Sequence, residues 1–326
     1  MILTVFTRRV DYNDSRIGFF HAWLCRLAER VDFLYIVCLE VGAYDLPDNT
    51  EVICLGKGKL RRSLRFLWKN PIRRSDAVFC HQCPIYTVMS WPFAKLYRKP
   101  LLMWHTHGST SNTLWVASKM ADKILSATRD SFPWETNKKL VVTGHGIDTD
   151  LFRPSDKRGD YLLYVGRISP IKKLEKILGT PHKKVVIGEA TDSDYLIKVK
   201  NKAQNTTWLG SLPHYALLEH IQKCSVFISA SNTGSLDKAC LEAMACGKPI
   251  MTSNTAVRNI LRKYEPQLSF MGLADFEQKI DDLLNMCEKE REEMGSYLRR
   301  IVLEDHNLDK LCNKIIKEAK KGDEGK

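Results

Sequence analysis

The sequence lacks any run of about 18 apolar residues, so no segment is expected to cross a membrane as a helix. We expect no secretory leader, because residues 1–9 place the apolar run before the charges, and we therefore expect a cytoplasmic location. Acidic residues are scarce beside basic ones: 38 Asp and Glu face 50 Lys and Arg, a net charge of +12. This excess favours an anionic partner such as a nucleotide, a nucleic acid or a membrane surface.

Cysteine is present but lacks the spacing of a disulfide framework or a metal site. The ten cysteines are scattered along the chain, and this pattern favours reduced thiols. Cys80-His-Gln-Cys83 has the spacing of half a zinc site, but no second cysteine pair lies nearby to complete it. We therefore expect no bound metal.

A strand–helix alternation runs through the first half of the chain. With 44% hydrophobic and 27% charged residues, the 326-residue composition is that of a globular protein, long enough for two domains. Short apolar runs alternate with helical patterns, which indicates a parallel, doubly wound sheet. The predicted strands are residues 2–6, 33–39, 52–55, 77–80, 101–104, 123–126 and 140–143.

The alternation stops at a hydrophilic segment, residues 155–160, and then restarts. In the second half, the predicted strands are 161–165, 185–187, 207–209, 226–229 and 249–252, and the predicted helices are 174–178, 215–224, 236–246 and a charged tail from 273. We therefore predict an α/β protein with Rossmann-like domains at 1–154 and 155–300, and a helical tail at 301–326 that packs back on the first domain. Ligands of such sheets bind at the carboxyl ends of the strands, here in a central cleft between the two domains.

Two segments of the second half have the chemistry of an anion site. Arg167 and Lys172 follow a predicted strand and Gly166, and two cations at such a strand end suit a diphosphate; a solvated basic loop is the alternative. The second segment, residues 229–250, runs from a strand into a polar loop and a helix, with Ser235 as the predicted N-cap and Gly247 as the C-terminal stop. Glu242, in mid-helix, would bind ribose hydroxyls or be an ordinary exposed residue.

Four phrases from these and neighbouring segments occur in the order and spacing of one family: Gly144-His-Gly-Ile-Asp148 with Phe152 and Pro154, Val165-Gly-Arg-Ile-Ser-Pro-Ile-Lys172, Trp208-Leu-Gly-Ser-Leu-Pro213, and Leu241-Glu-Ala-Met-Ala-Cys-Gly-Lys-Pro249. With them, the sequence resembles the family 4 glycosyltransferases, retaining enzymes of the GT-B fold. The likeness is good over residues 140–255 and extends to the first half only in layout.

The resemblance implies roles for individual residues. Arg167 and Lys172 would neutralise the leaving diphosphate, so that no metal or other cofactor is required, and Glu242 would hold the ribose. The other implied donor-binding positions are Gly18, Gly166, Gly210, Leu212, Pro213, Thr233, Gly234, Ser235 and Leu236.

One position departs from the family pattern. Gly234 stands where the family has the first Glu of its signature, which contacts the donor sugar. Asp237, or less readily Lys238, would supply the missing polar contact; alternatively, Asp237 is a carboxylate that favours the helix dipole. The identity of the sugar is therefore left open.

The first half offers further candidates at the ends of predicted strands. By the resemblance, His107 would lie near the reacting carbon of the sugar, while His105, Asp11 and Asp14 would be on the acceptor side. A hydrogen-bonded structural role is the alternative for each histidine.

Residues 57–74 carry eight basic residues and no acidic one, interleaved with apolar residues. As a helix, this segment would lie on an anionic membrane, grip an anionic acceptor or be a solvated surface. Nucleic acid is disfavoured, because no base-reading module accompanies the charge.

The function implied by the resemblance is retaining transfer of a hexosyl or deoxyhexosyl group. The donor would be a GDP- or UDP-sugar, and the acceptor would be a hydroxyl of a glycan, glycoprotein or lipid-linked glycan. The alternatives are a nucleotide-sugar epimerase, an inactive protein that binds a nucleotide sugar or a glycan, and a basic nucleic-acid-binding protein.

Overall fold

The computed structural model describes residues 1–56, 58–134, 138–231 and 234–324. The chain forms two compact units: unit 1 contains residues 1–146 and 308–326, and unit 2 contains residues 147–307. The predicted boundaries, after residues 154 and 300, cut into unit 2 at both ends. Ile147 and Phe152 are buried in the core of unit 2, and Ile147 pairs through its backbone with Asn307.

Unit 1 is built on a seven-stranded parallel sheet in the order β5-β3-β1-β6-β7-β8-β9. Its elements before residue 146 are β1 (Ile2–Phe6), β2 (Arg9–Val10), α1 (Phe19–Ala28), β3 (Phe33–Cys38), β4 (Glu40–Val41), β5 (Thr50–Cys54), α2 (Lys59–Lys69), β6 (Ala77–His81), α3 (Pro84–Leu96), β7 (Leu101–Trp104), α4 (Asn112–Met120), β8 (Lys123–Ser126) and β9 (Leu140–Val142). The small strands β2 and β4 pair separately from the main sheet.

Unit 2 is built on a five-stranded parallel sheet in the order β12-β11-β10-β13-β14. Its elements are β10 (Leu162–Val165), β11 (Lys184–Ile187), α5 (Ser193–Lys202), β12 (Thr206–Gly210), α6 (Leu217–Lys223), β13 (Val226–Ser229), α7 (Lys238–Ala245), β14 (Ile250–Thr252), α8 (Thr255–Leu261), α9 (Glu265–Leu268), α10 (Leu273–Asn285) and α11 (Glu288–Ile301). The last helix, α12 (Leu308–Glu324), returns to unit 1.

The sheet of unit 1 is covered by helices on both faces. On one face, α1 and α12 share a core with β1 and β3, and the periodic Phe20, Trp23, Leu24 and Leu27 are buried there. On the other face, Phe66 of α2 and Ala94 of α3 pack with Phe6 and Val78. Because both faces are covered, the strands are continuous apolar runs, which is why they could be predicted from the sequence.

The predicted α/β class with two Rossmann-like parallel sheets is confirmed. The helix predicted over 174–178 is wrong: the chain forms 3-10 turns at Pro170–Lys172 and Leu174–Lys176. Lys173 adopts a left-handed backbone, with φ of 48°, between them, and the Leu174 N–H donates to the Tyr195 hydroxyl (2.7 Å) instead of to a helical carbonyl.

The sequence predicts both ends of α7, and the structure confirms the C-terminal end only. The helix begins at Lys238 with Asp237 at the N-cap position, so the predicted cap Ser235 is wrong. Asn254 explains the difference, because its Nδ2 donates to the Ser235 carbonyl (3.0 Å) and holds that residue in the loop. Gly247 ends the helix as predicted, with φ of 70° and hydrogen bonds from residues 247 and 248 back to Met244 and Ala243.

Candidate functional site

The candidate site of unit 2 lies at the carboxyl edge of its sheet. Here the backbones that follow β10 and β11 come into direct contact: a Cβ on Gly188 would stand 1.8 Å from the Gly166 carbonyl oxygen. Both glycines adopt positive φ, 155° at Gly166 and 152° at Gly188. Only glycine fits this approach, which leaves Gly166 and Arg167 at the open end of the strand.

Arg167 is held through its backbone, while its guanidinium is exposed. The Tyr164 hydroxyl donates to the Arg167 carbonyl at 2.9 Å. Burial raises the pKa of Tyr164 well above its ordinary value; the charge of Asp237 raises that pKa further, and the charge of Arg167 lowers it. Both charges therefore act on the same buried hydroxyl.

Lys172 is directed to the start of α7 by Asp237. The Lys172 Nζ lies 3.2 Å from Asp237 Oδ2, and each side chain is only 12% exposed. The same oxygen accepts hydrogen bonds from Ser229 Oγ (2.9 Å) and Ser231 Oγ (3.3 Å). Asp237 makes no capping hydrogen bond to the helix, so its side chain organises the cation and the loop instead.

Glu242 is a buried carboxylate rather than an exposed helical residue. It is 2% exposed, and its Oε1 lies 2.6 Å from His214 Nε2 and also accepts a hydrogen bond from the Lys238 ammonium. Burial favours the neutral acid, but the charges and hydrogen bonds of Lys238 and His214 outweigh it and lower the pKa of Glu242 to about 2. Glu242 is therefore an anion at neutral pH, as a ribose-binding carboxylate must be.

The loop between β13 and α7 is fixed by a residue that the sequence analysis missed. Asn254 Nδ2 donates to Ser231 Oγ (3.1 Å) as well as to the Ser235 carbonyl, and Asn254 Oδ1 caps α8. The local signal was an Asn before a helical segment, which predicts an N-cap. No local sequence pattern predicts the contacts of Asn254 with Ser231 and Ser235.

The other residues predicted to bind the donor differ in solvent exposure. Gly234 is exposed, with φ of 69°, and no described atom lies within 4 Å of where its Cβ would be. Ser235 is half-buried, whereas Leu236 is 5% exposed and part of the core. Gly210 (φ of 70°) is the last residue of β12, and Leu212 and Pro213 follow it and lead to His214. Thr233 lies outside the described residues.

In unit 1, the predicted histidines follow β7. His107 is exposed, and its ring stands edge-on to His105 at 5.7 Å. His105 is 7% exposed, and neither of its ring nitrogens has a hydrogen-bond partner among the described residues. Burial, with the nearby charge of His107, lowers the pKa of His105 to about 4. His105 is therefore neutral at physiological pH.

His81, which belongs to the incomplete zinc pattern at residues 80–83, is also buried in unit 1. Its ring stacks on Phe20 with centroids 3.7 Å apart and also lies against Trp104. Burial lowers the pKa of His81 to about 3, and burial raises the pKa of the neighbouring Cys80 thiol to about 12. Within the described ranges, no three His, Cys, Asp or Glu side chains come together in a way that could hold a metal ion.

The two carboxylates predicted to serve the acceptor side form hydrogen bonds within their own loop. Asp14 Oδ1 accepts from the N–H groups of Arg16 (2.8 Å) and Ile17 (2.9 Å), and its Oδ2 pairs with Arg9 at 2.6 Å. Asp11 Oδ1 accepts from a backbone N–H two residues later. Gly18 is buried at the start of α1, where a Cβ would stand 2.4 Å from the Asp14 carbonyl oxygen.

The carboxyl-edge site lies within a region that matches a family model. Residues 150–301 match the model described as glycosyl transferases group 1. Two Mycobacterium leprae proteins named D-inositol 3-phosphate glycosyltransferase are 27% identical over 139 residues, which cover 35% of this chain and 32% of theirs. The chain thus spans about a third of the length of these curated relatives.

Solved structures match over nearly the whole chain. The Anabaena protein HepE, in complex with UDP and glucose, superposes with a TM-score of 0.76 at 14% identity, covering 97% of this chain and 98% of that one. Sucrose-phosphate synthase from Thermosynechococcus elongatus gives a TM-score of 0.77 at 14% identity, covering 100% of both chains. The fold is therefore GT-B.

No helix of the described ranges is both long and apolar enough to cross a membrane.

Proposed function

We propose that the protein is a retaining family 4 glycosyltransferase that binds a nucleoside diphosphate sugar at the carboxyl edge of the unit 2 sheet. The observation that carries this proposal is the spacing of two charged groups, a cation and a carboxylate, along α7. Lys172 is held at the N-terminus of the helix by Asp237, and the ionised Glu242 follows five residues later. At 1.5 Å per residue, this spacing is about 7.5 Å along the axis, a distance suited to a diphosphate and its ribose.

The cations would stabilise the leaving group. The exposed Arg167 fork and the Lys172 ammonium would bind the diphosphate oxygens, with the N-terminus of α7 adding its positive partial charge. Lys172 would then exchange part of its contact with Asp237 for a phosphate oxygen. Because these charges neutralise the developing negative charge, the reaction as proposed requires no metal.

The transfer itself would proceed on one face of the sugar. The bond between the anomeric carbon and the diphosphate oxygen breaks, and the acceptor oxygen bonds to the same carbon from the same face. The acceptor proton passes to the departing phosphate oxygen. This route suits a site in which the described carboxylates, Asp237 and Glu242, are already engaged by cations.

The finer assignments follow the family resemblance. We propose that His107 lies near the donor sugar, that His105, Asp11 and Asp14 serve the acceptor side, and that Gly18 shapes that loop. The donor would be a UDP- or GDP-hexose or deoxyhexose, and the acceptor would be a hydroxyl of a glycan or of a lipid-linked glycan. A lipid-linked acceptor would suit a cytoplasmic protein that touches a membrane through residues 57–74.

Thermal unfolding with UDP, GDP and their sugars tests the donor site. A ligand at about 100 times its Kd adds about 2.7 kcal/mol to the stability of the native state, so one nucleotide should raise Tm by several degrees. Arg167→Ala should abolish this Tm shift, because it removes the guanidinium proposed to bind the diphosphate. Lys198→Ala, which removes an equal charge from an exposed position on α5, should leave it intact.

An undiminished shift in Arg167→Ala would contradict the diphosphate role. Release of the nucleotide from its sugar donor then separates the enzyme from the inactive binding protein. A protein that binds the donor but never releases nucleotide from it, with any acceptor tested, would be the binding protein.

A further inference from the structure

The positive charge of the molecule is concentrated in one segment. Residues 57–123 contain 13 Lys and Arg but only two acidic residues, a net charge of +11 against +12 for the whole chain. Both acidic side chains are engaged locally: Asp76 accepts from the Ile2 N–H, and Asp122 accepts from the Leu101 N–H and pairs with Lys95. The sequence of this segment contains no further acidic residue to balance its Lys and Arg side chains.

The three helices of this segment, α2, α3 and α4, lie on the same face of the unit 1 sheet. Phe66 of α2 packs between Phe6 of the sheet and Phe93 of α3, with ring centroids 5.6 and 5.9 Å apart. Leu114 of α4 packs beside α3 through Val88. Since α1 and α12 cover the opposite face, the outer side of these three helices, here called the basic layer, faces solvent within unit 1.

Each helix of the basic layer exposes large apolar side chains. Trp68 and Leu67 of α2 are 85% and 55% exposed, Leu96 at the end of α3 is 71% exposed, and Trp115 of α4 is 53% exposed. A solvated surface helix has no need of such side chains, and tryptophan is typical of membrane interfaces.

Basic side chains lie beside the exposed apolar side chains of α3 and α4. The Lys119 Nζ lies 5.8 Å from the centre of the Trp115 ring. The Lys139 Nζ donates to the Lys119 carbonyl (2.8 Å), which places a further ammonium group at the C-terminal end of α4. Lys95 is next in sequence to the exposed Leu96.

We propose that the basic layer docks on a bilayer that contains anionic phospholipids. Its tryptophans and leucines would enter the interface, and its lysines and arginines would contact the lipid phosphates. The exposed aliphatic residues favour a bilayer over a nucleic acid, because a phosphodiester backbone offers no apolar surface to leucine. This surface enlarges the proposed contact of residues 57–74, and its binding does not depend on the donor chemistry of unit 2.

Vesicle flotation of the whole protein tests the docking. We expect binding to vesicles of phosphatidylcholine mixed with phosphatidylglycerol, little binding to phosphatidylcholine alone, and loss of binding in high salt. The double variant Trp68→Ser, Trp115→Ser should weaken binding about tenfold or more. The matched control is Ile197→Ser, which removes an exposed apolar side chain from α5 of unit 2.

A charge variant tests the electrostatic part of the surface. Lys69→Gln with Lys119→Gln removes two exposed cations, one from α2 and one from α4, and should weaken binding about thirtyfold, whereas Lys198→Gln should not. Circular dichroism and the nucleotide-induced Tm shift should be unchanged in all variants, so a failure here is distinct from failure of the donor site.

Three results would overturn the proposal. The wild-type protein would stay in solution with anionic vesicles, the tryptophan variant would bind them like the wild type, or the protein would bind duplex DNA more tightly than vesicles.

Discussion

At the residue scale, the polar networks around α7 show what a sequence pattern can and cannot predict. Lys172 and Glu242 stood out because their types and spacing match a phosphate and ribose site. Their pairings did not: Asp237 holds Lys172 and His214 holds Glu242 across long stretches of sequence, and Asn254 holds Ser231 and Ser235 before α7. Asp237, predicted to contact the donor sugar, pairs with Lys172, a contact that depends on how two loops meet.

Replacement of Glu242 tests the buried charge cluster. Glu242→Gln keeps the shape but leaves Lys238 and His214 without their anion, so at neutral pH we expect a loss of about 1–3 kcal/mol in the free energy of unfolding. Because the native pKa is lowered from 4.5 to about 2, the stabilisation is complete above pH 4.5 and disappears as the pH falls towards 2.

The measurement for Glu242 is urea unfolding of both proteins across that pH window. The difference between wild type and variant should shrink as the pH falls below 4.5. A difference that stays constant to the lowest pH at which both proteins fold would show that the Glu242 charge is not stabilised by its neighbours.

At the element scale, buried parallel strands were the most predictable features, and the connections were the least. The runs at 2–6, 101–104, 123–126 and 226–229 became strands with the same bounds, because strands covered on both faces must be apolar throughout. The segment after β10 misled the prediction because its leucines are helix formers. A left-handed Lys173 and a distant Tyr195 hydroxyl decide its conformation, and neither has a periodic signal.

The contact between the ends of β10 and β11 gives an element-scale prediction. Gly188→Ala would place a methyl group on the Gly166 carbonyl in a backbone conformation that alanine rarely adopts, so we expect a loss above about 3 kcal/mol or no folded protein. Gly272→Ala is the control, because no described atom lies within 4 Å of its Cβ position. Equal denaturation midpoints for the two variants would contradict the close packing.

At the scale of the whole molecule, unit 1 is completed by the two ends of the chain. Helix α12 buries an apolar stripe against α1 and the sheet, formed by Leu308, Leu311, Cys312, Ile315, Ile316 and Ala319. Arg30 of unit 1 pairs with Asp309 at 2.5 Å and donates to Asn313. The sequence predicted a helical tail on the first domain, but the composition of the tail alone could not tell which side chains it would cover.

Truncation tests this dependence of unit 1 on the last helix. A chain ending at Asn307 would expose the apolar face of α1, including Trp23, and lose several buried side chains that contribute about 1.5–3 kcal/mol each. We expect unit 1 to unfold or aggregate at temperatures at which the full chain is native. A chain ending at Lys320 keeps the whole stripe and should unfold like the full protein. Thermal unfolding followed by tryptophan fluorescence reports mainly on unit 1, which contains six of the seven tryptophans, including Trp23, whose Nε1 donates to the Gly146 carbonyl at 3.0 Å. Equal Tm values for the two truncated chains would mean that unit 1 is stable without α12.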